Sequence, residues 1–303
     1  MEKVIVVIGP TSVGKTKMGV ELAKKLNGEI ISGDSMQIYK GMDIGTAKVT
    51  EEEMEGIVHH CIDILDPRDN YSVKDFQETV REKITDITNR GKQAIIVGGT
   101  GLYIKAALYD YEFSEMEDNH EAFRNKYKDL SNEELYLHLQ NIDAKSAEEL
   151  HPNNRQRVLR AIEIYEETGQ TKSDILSTQQ HVCLYDAYFV ALTLERDVLY
   201  ERINKRVDNM DSLGLEGEVT RLYKQGVRRE YQSMKAIGYK EWFDYFEGLI
   251  TKDMVYENIK KHSRHYAKRQ YTWFKNQFDV HWYEVNLEHF EETVQEVLKD
   301  ICS

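Results

Sequence analysis

With 303 residues, the chain is long enough for one large domain or two smaller ones, each with its own core. A composition of 41% hydrophobic and 31% charged residues is that of a soluble globular enzyme, and no apolar run approaches the roughly 18 residues of a membrane span. The formal charge of −13 excludes a uniformly basic nucleic-acid binder, but it is unevenly held: residues 1–150 carry 18 basic and 28 acidic side chains, residues 151–303 carry 22 and 25.

Residues 4–8 form a β-branched apolar run, read as a buried strand that starts too early to leave room for a signal peptide. Residues 17–26 follow with helical periodicity. Between them lies Gly9-Pro10-Thr11-Ser12-Val13-Gly14-Lys15-Thr16, which fits the pattern G-x-x-x-x-G-K-[S/T] at every fixed position. A loop between strand and helix turns backbone N–H groups and the positive end of the helix dipole onto an anion. Lys15 adds a point charge for a terminal phosphate, and Thr16 a hydroxyl for Mg²⁺. The loop is therefore expected to hold a di- or triphosphate.

A second strand is expected at 29–32, ending in Gly33-Asp34-Ser35-Met36-Gln37. Asp34 has three open roles there: holding Mg²⁺ through water, taking a substrate proton, or capping the next turn. A helix over 72–89 leads to a third strand, 93–97, which runs into Gly98-Gly99-Thr100-Gly101. This alternation predicts an α/β fold with a parallel sheet, and the turns at Gly9, Gly33 and Gly98 should line one cleft at the strands' carboxyl ends. The third strand ends without the acidic residue that many P-loop hydrolases place there for Mg²⁺, so ATP-driven motors and switch GTPases fit poorly. Its glycines either leave room for a substrate beside the Thr100 hydroxyl or make a tight structural turn.

Residues 115–185 read as a polar, mostly helical insertion between two parts of the core, 1–114 and 186–303. Within it, Arg155, Gln156, Arg157 and Arg160 open a helix for which Asn153 or Asn154 would be the cap; the arginines face either RNA or Glu163 and Glu166. A returning strand is expected at 188–194 and a helix at 197–210, on which Arg202 and Arg206 share one face. That helix is either a lid over the phosphates or a solvated surface. The helical stretch 215–278 ends in a segment, 258–278, with Lys260, Lys261, Arg264, Lys268, Arg269 and Lys275 and no acid. Two basic rows interleaved with aromatics suit a phosphate backbone with unstacked bases nearby; the alternative is a solvated charged face with Trp273 and Phe274 in the core. Cys61, Cys183 and Cys302 lie far apart and read as reduced thiols of a cytoplasmic protein, with neither a disulfide frame nor a zinc site.

Taken in order, the loop at 9–16, Gly33-Asp34-Ser35 and Tyr39-Lys40-Gly41-Met42-Asp43-Ile44-Gly45-Thr46-Ala47-Lys48 resemble the tRNA dimethylallyltransferase family, bacterial type. Val97-Gly98-Gly99-Thr100-Gly101-Leu102-Tyr103, Arg155-Gln156-Arg157-Val158-Leu159-Arg160-Ala161, Ile237-Gly238-Tyr239-Lys240-Glu241 and Ala267-Lys268-Arg269-Gln270-Tyr271-Thr272-Trp273-Phe274 extend the likeness over roughly 9–275. The resemblance implies a P-loop kinase-like parallel sheet flanked by helices, with an inserted helical tRNA-binding domain. It implies transfer of a dimethylallyl group from dimethylallyl diphosphate to the exocyclic amine of the adenosine 3′ to the tRNA anticodon, releasing diphosphate.

In that reading Gly9, Pro10, Thr11, Ser12, Val13, Gly14, Lys15 and Thr16 hold the diphosphate, Thr16 meets Mg²⁺, and Asp34 is the base. Lys15, Thr16 and Arg206 stabilise the leaving group. Asp34, Ser35, Met36, Gln37, Thr100, Arg124, Gln156, Arg157, Arg160, Lys235, Lys240, Lys268 and Arg269 contact the tRNA anticodon stem-loop. Eukaryotic members append a zinc-finger segment that this chain lacks, and nothing demands more than a cytoplasmic monomer. Two other classes share some of these features: a small-molecule P-loop kinase of shikimate- or nucleoside-kinase type, and a nucleotide-gated RNA-binding module. The length, the basic aromatic segment and the string at 39–48 weigh against the kinase, while the binding module predicts salt-sensitive RNA binding with no covalent product.

Overall fold

The first strand reads KVIVVI and is buried along all but its first residue, as β-branched side chains covered on both faces of a parallel sheet should be. The computed structural model describes residues 1–111, 113, 120–178 and 180–303. One compact unit comprises Met1–Tyr109 and Cys183–Ser303, and a second comprises Asp110–Val182. In chain order the first unit opens with β1 (Lys3–Ile8), α1 (Lys15–Leu26), β2 (Gly28–Ser32), α2 (Glu51–Met54), β3 (His59–His60), α3 (Val73–Asn89), β4 (Gln93–Val97) and α4 (Gly101–Leu108). The second unit follows with α5 (His120–Lys126), α6 (Asn132–Ile142), α7 (Ala144–Glu149), α8 (Arg155–Thr168) and α9 (Lys172–Thr178). The first resumes with β5 (Asp186–Thr193), α10 (Arg196–Ser212), α11 (Leu215–Lys224), α12 (Trp242–Phe246), α13 (Lys252–Gln277), β6 (His281–Glu284) and α14 (Phe290–Cys302).

The sheet order is β3-β2-β4-β1-β5-β6, and every pairing is parallel. Strands β1, β2, β4 and β5 fall within two residues of their expected limits. The two edge strands were not expected. His59–His60 is too short to show a period, and the His-Trp-Tyr-Glu of β6 alternates too weakly against its polar flanks. α3 starts one residue after Ser72, whose hydroxyl accepts from the Asp75 N–H while the Asp75 carboxylate accepts from the Ser72 N–H. Among the described residues no helix is long and apolar enough to cross a membrane.

At the amino end of β2, away from the turns that end the strands, the Glu29 carboxylate accepts from Arg90 at 2.5 and 2.7 Å, from Lys92 at 2.7 Å and meets His60 Nε2 at 2.7 Å. Arg90 first, then Lys92 and His60, hold this carboxyl well below the usual range against the opposing effect of burial. Because the folded-state value is depressed, the stabilisation is complete above the unfolded value of about 4.3 and is lost as pH falls below it. Glu29→Gln is expected to lower stability by about 1–3 kcal/mol at neutral pH, because Arg90 and Lys92 can still reach water. Urea unfolding checks this, and the difference should shrink in acid; an undiminished difference at pH 3 would contradict it.

The second unit has its own core, built around Leu135, Leu139, Val158 and Ile162. Neither asparagine caps α8 as expected. Asn154 stands at the N-cap position without a side-chain bond, and the Asn153 N–H is taken by His151 Nδ1. The start of α8 is held instead by Arg155, which donates to the carbonyls of Leu130 and Tyr127, each at 2.7 Å.

Candidate active site

The phosphate loop joins β1 to α1, and its shape depends on two glycines. Gly9 has φ +146°, and a Cβ there would lie 2.6 Å from the Leu192 carbonyl oxygen of β5; Gly14, the residue before α1, has φ +110°. Both conformations strain any residue with a side chain. α1 therefore begins at Lys15, two residues earlier than expected, and its first N–H groups have no partner within the helix. Lys15 Nζ donates to the Pro10 carbonyl at 2.8 Å, and Thr16 is exposed in the first turn.

Two further turns, those after β2 and β4, meet this loop, as the parallel sheet requires. Thr11, Lys15, Thr16, Asp34, Gly98 and Gly99 line one cleft of about 570 Å³, together with Gln37, Arg202, Arg206, Tyr266 and Gln270. A cavity of about 280 Å³ adjoins it and shares Thr11, Ser12, Asp34, Thr46, Arg206 and Tyr266. Much of its remaining lining is apolar, from Met36, Val207, Met210 and Ile237, with Ser263 polar and Lys235, Lys240 and Arg269 as cations. Asp34 stands between the two spaces. Its Oδ1 accepts the Met36 N–H at 2.8 Å, so the carboxylate also closes its own turn.

α10 lies over the loop. Arg202 Nε donates to the Ser12 carbonyl at 2.9 Å, while Arg206 donates to the Thr11 hydroxyl at 3.2 Å and to the Thr46 carbonyl at 3.3 Å. Surrounding protein and the Arg206 charge lower the Lys15 ammonium to about 7, partly offset by Asp34, although one side of the lysine remains open to the cleft. An anion bound beside Lys15 would raise it again, so binding takes up a proton. Diphosphate affinity is accordingly expected to be full below about pH 7 and to fall by up to about tenfold per unit as pH rises above it. Calorimetry between pH 7 and 9 in buffers of different ionisation enthalpy measures that uptake; no proton taken up at pH 8 would contradict it.

The other expected residues are more dispersed. The Thr100 hydroxyl accepts from the Ser35 N–H at 3.2 Å and donates to the Ser35 hydroxyl at 3.3 Å, joining the β4 and β2 turns. Lys268 is exposed on α13, on the same long helix as Tyr266 and Arg269. Arg124, Gln156, Arg157 and Arg160 are exposed on the second unit, where Arg160 pairs with Glu163 at 2.7 Å. In the basic rows of α13, Lys260 is engaged by Asp208 at 2.8 Å and by Glu257 at 3.0 Å. That end of the helix is neutralised by its neighbours, which the acid-free stretch did not foretell.

Of the two readings of the glycines after β4, the close packing around them fits the tight structural turn. A Cβ on Gly98 would fall 2.3 Å from the Gly33 backbone, one on Gly99 2.2 Å from Gln270 Nε2, and one on Gly101 2.2 Å from the Trp273 ring. That space is filled by protein, and it lets α13 dock. Gln270 was not singled out from the sequence; nor was Glu218. The buried Glu218 carboxylate accepts from the N–H groups of Asp43, Ile44 and Gly45 at 2.9–3.2 Å and from the Tyr239 hydroxyl at 2.6 Å. Lys48, also buried, donates to the Tyr39 carbonyl at 2.8 Å and pairs with Asp43 and Asp63 at 2.6 Å.

The family described as IPP transferase matches residues 37–277, which include Asp43, Glu218, Tyr239 and Gln270. The chain belongs to the IPP transferase family. The tRNA dimethylallyltransferase of Anoxybacillus flavithermus is 53% identical over 298 residues, covering 98% of this chain and 95% of that protein. The tRNA dimethylallyltransferase of Bacillus subtilis is 53% identical over 288 residues, covering 94% and 91%. Among solved structures, the tRNA delta(2)-isopentenylpyrophosphate transferase of Staphylococcus epidermidis superimposes with a TM-score of 0.74 at 48% identity, with 99% of each chain covered. A eukaryotic dimethylallyltransferase acting on tRNA superimposes with a TM-score of 0.85 at 29% identity, over 98% of this IPP transferase and 78% of the other chain.

Proposed function

We propose that this IPP transferase moves a dimethylallyl group from dimethylallyl diphosphate to the exocyclic amine of the adenosine 3′ to the tRNA anticodon. One observation carries the reading: Asp34 borders both the phosphate-loop cleft and the adjoining cavity with its apolar and cationic walls. A carboxylate so placed can serve a reaction between a diphosphate ester on one side and a base on the other. The amine nitrogen attacks the allylic carbon, and the carbon–oxygen bond to diphosphate breaks with its electron pair leaving on oxygen. Asp34 takes the amine proton as the nitrogen–carbon bond forms. The loop amides, Lys15 and Arg206 receive the charge that accumulates on diphosphate.

Enzymes that transfer prenyl groups from diphosphates generally use a divalent metal. The donor set fits Mg²⁺, which keeps most of its waters and is held through substrate phosphates with one or two protein oxygens. Thr16, exposed at the helix start, is such an oxygen. When bound, the ion would neutralise charge on the departing diphosphate. The exposed Arg124, Gln156, Arg157 and Arg160 of the second unit, with Ser35, Met36, Gln37, Thr100, Lys235, Lys240, Lys268 and Arg269 of the first, are the tRNA contacts in this reading. The enzyme would act as a cytoplasmic monomer, since one chain supplies both cavities.

The test is mass analysis of an anticodon stem-loop RNA after incubation with dimethylallyl diphosphate and Mg²⁺. One five-carbon addition on one adenine is expected. RNA recovered unmodified by folded protein would refute the reading, and phosphate transfer from ATP to a small alcohol would favour the kinase alternative.

A further inference from the structure

Gln270 belongs to the loop's immediate surroundings although it lies 259 residues from Thr11 in sequence. It is buried on the inner side of α13, and its amide is fixed at both ends. Oε1 accepts the Thr11 N–H at 2.9 Å, and Nε2 donates to the Gly99 carbonyl at 2.9 Å. Reversing the amide would oppose donor to donor and acceptor to acceptor, so its orientation is determined.

Pro10 has no N–H, so Thr11 bears the first backbone donor of the loop after Gly9, and the protein itself occupies it. Unpartnered donors remain further along, including those in the first turn of α1. A position 2.2 Å from Gln270 Nε2, where Gly99 lacks a Cβ, is also 3.9 Å from Lys15 Nζ. The glutamine amide thus sits beside the ammonium group that a phosphate loop directs at the end of a polyphosphate chain. Tyr266, one turn earlier on α13, brings its hydroxyl to 3.4 Å from the same Gly99 carbonyl and thickens that wall.

We propose that Gln270 sets the length of polyphosphate the loop accepts. By capping the Thr11 N–H and filling the space next to Lys15, it leaves donors and room for two phosphates and turns away a third. Gln270 is a positioning and specificity residue here, and the proposal rests on the reading of the cleft as a prenyl-diphosphate site. It gives a physical reason why a nucleotide-type loop would prefer a prenyl diphosphate over ATP.

The experiment is calorimetric titration of the full chain with inorganic diphosphate and with inorganic tripolyphosphate, each with Mg²⁺. Wild-type protein should favour diphosphate. In Gln270→Ala the ratio of affinities should move toward tripolyphosphate by about tenfold, the worth of one hydrogen bond to a charged group. Gln270→Glu keeps size and acceptor but puts a negative charge beside Lys15, and should move the ratio the other way. This second variant carries the test if the alanine variant melts well below wild type. A ratio unchanged in the folded variants, or a wild-type preference for tripolyphosphate, overturns the inference. Wild-type protein that binds neither anion overturns the prenyl-diphosphate reading itself.

Discussion

Replacing Asp34 by asparagine is expected to slow prenyl transfer by about 10²–10⁴-fold while leaving the affinity for dimethylallyl diphosphate nearly unchanged. The asparagine oxygen still accepts the Met36 N–H that Oδ1 holds at 2.8 Å, so the turn after β2 survives. What disappears is Oδ2, which has no hydrogen-bond partner among the described residues, and with it the ability to take a proton from a weakly nucleophilic amine. Single-turnover kinetics with labelled donor and stem-loop RNA separate this loss from binding. Wild-type turnover in the variant would remove Asp34 as the base, and a large rise in the donor Kd with unchanged chemistry would make it a binding group.

The second large effect belongs to Arg206. Its guanidinium reaches the Thr11 hydroxyl at 3.2 Å and the Thr46 carbonyl at 3.3 Å, spanning the phosphate loop and the 39–48 string from α10. An anion on the loop would meet a cation already fixed in place, and such preorganised charge counts most as negative charge grows on the leaving group. Arg206→Ala should lower kcat/KM by about 10²–10³-fold, with loss in both kcat and donor affinity. Arg206→Lys should recover only part of it, because an ammonium cannot keep both contacts in one plane. Steady-state kinetics and donor titration together test this. An alanine variant with wild-type kcat and a raised KM alone would make Arg206 a ground-state binder.

Much of the site was legible because its chemistry is local. Residues 9–16 carry their loop, charge and hydroxyl within eight consecutive positions, and the apolar strands around them place the turns at Gly33 and Gly98 by topology alone. Arg202 and Arg206, for which a lid and a solvated surface were both open, lie against the loop. The roles of Gln270 and Glu218 were illegible for a physical reason: the backbone groups they hold lie 171–259 and 173–175 residues away. The two readings of the glycines after β4 stayed open in the sequence because a missing side chain does not say whether ligand or protein fills the gap. Strands β3 and β6 escaped because edge strands of two and four residues show almost no periodicity.

The clasp between Glu218, Tyr239 and the backbone of 43–45 has a consequence for how the enzyme is made. Three adjacent amides near the start of the chain have their acceptor on α11, and that acceptor is itself bonded by a hydroxyl further on. While the chain is being synthesised, those amides face water until both later residues have left the ribosome. Gln270 leaves later still, so the Thr11 N–H is capped only when nearly the whole chain is present. Strands β1 to β5 precede Gln270 and can pair earlier, while the cleft is completed only afterwards. The clasp and the capped Thr11 N–H therefore come into being only with an essentially complete molecule.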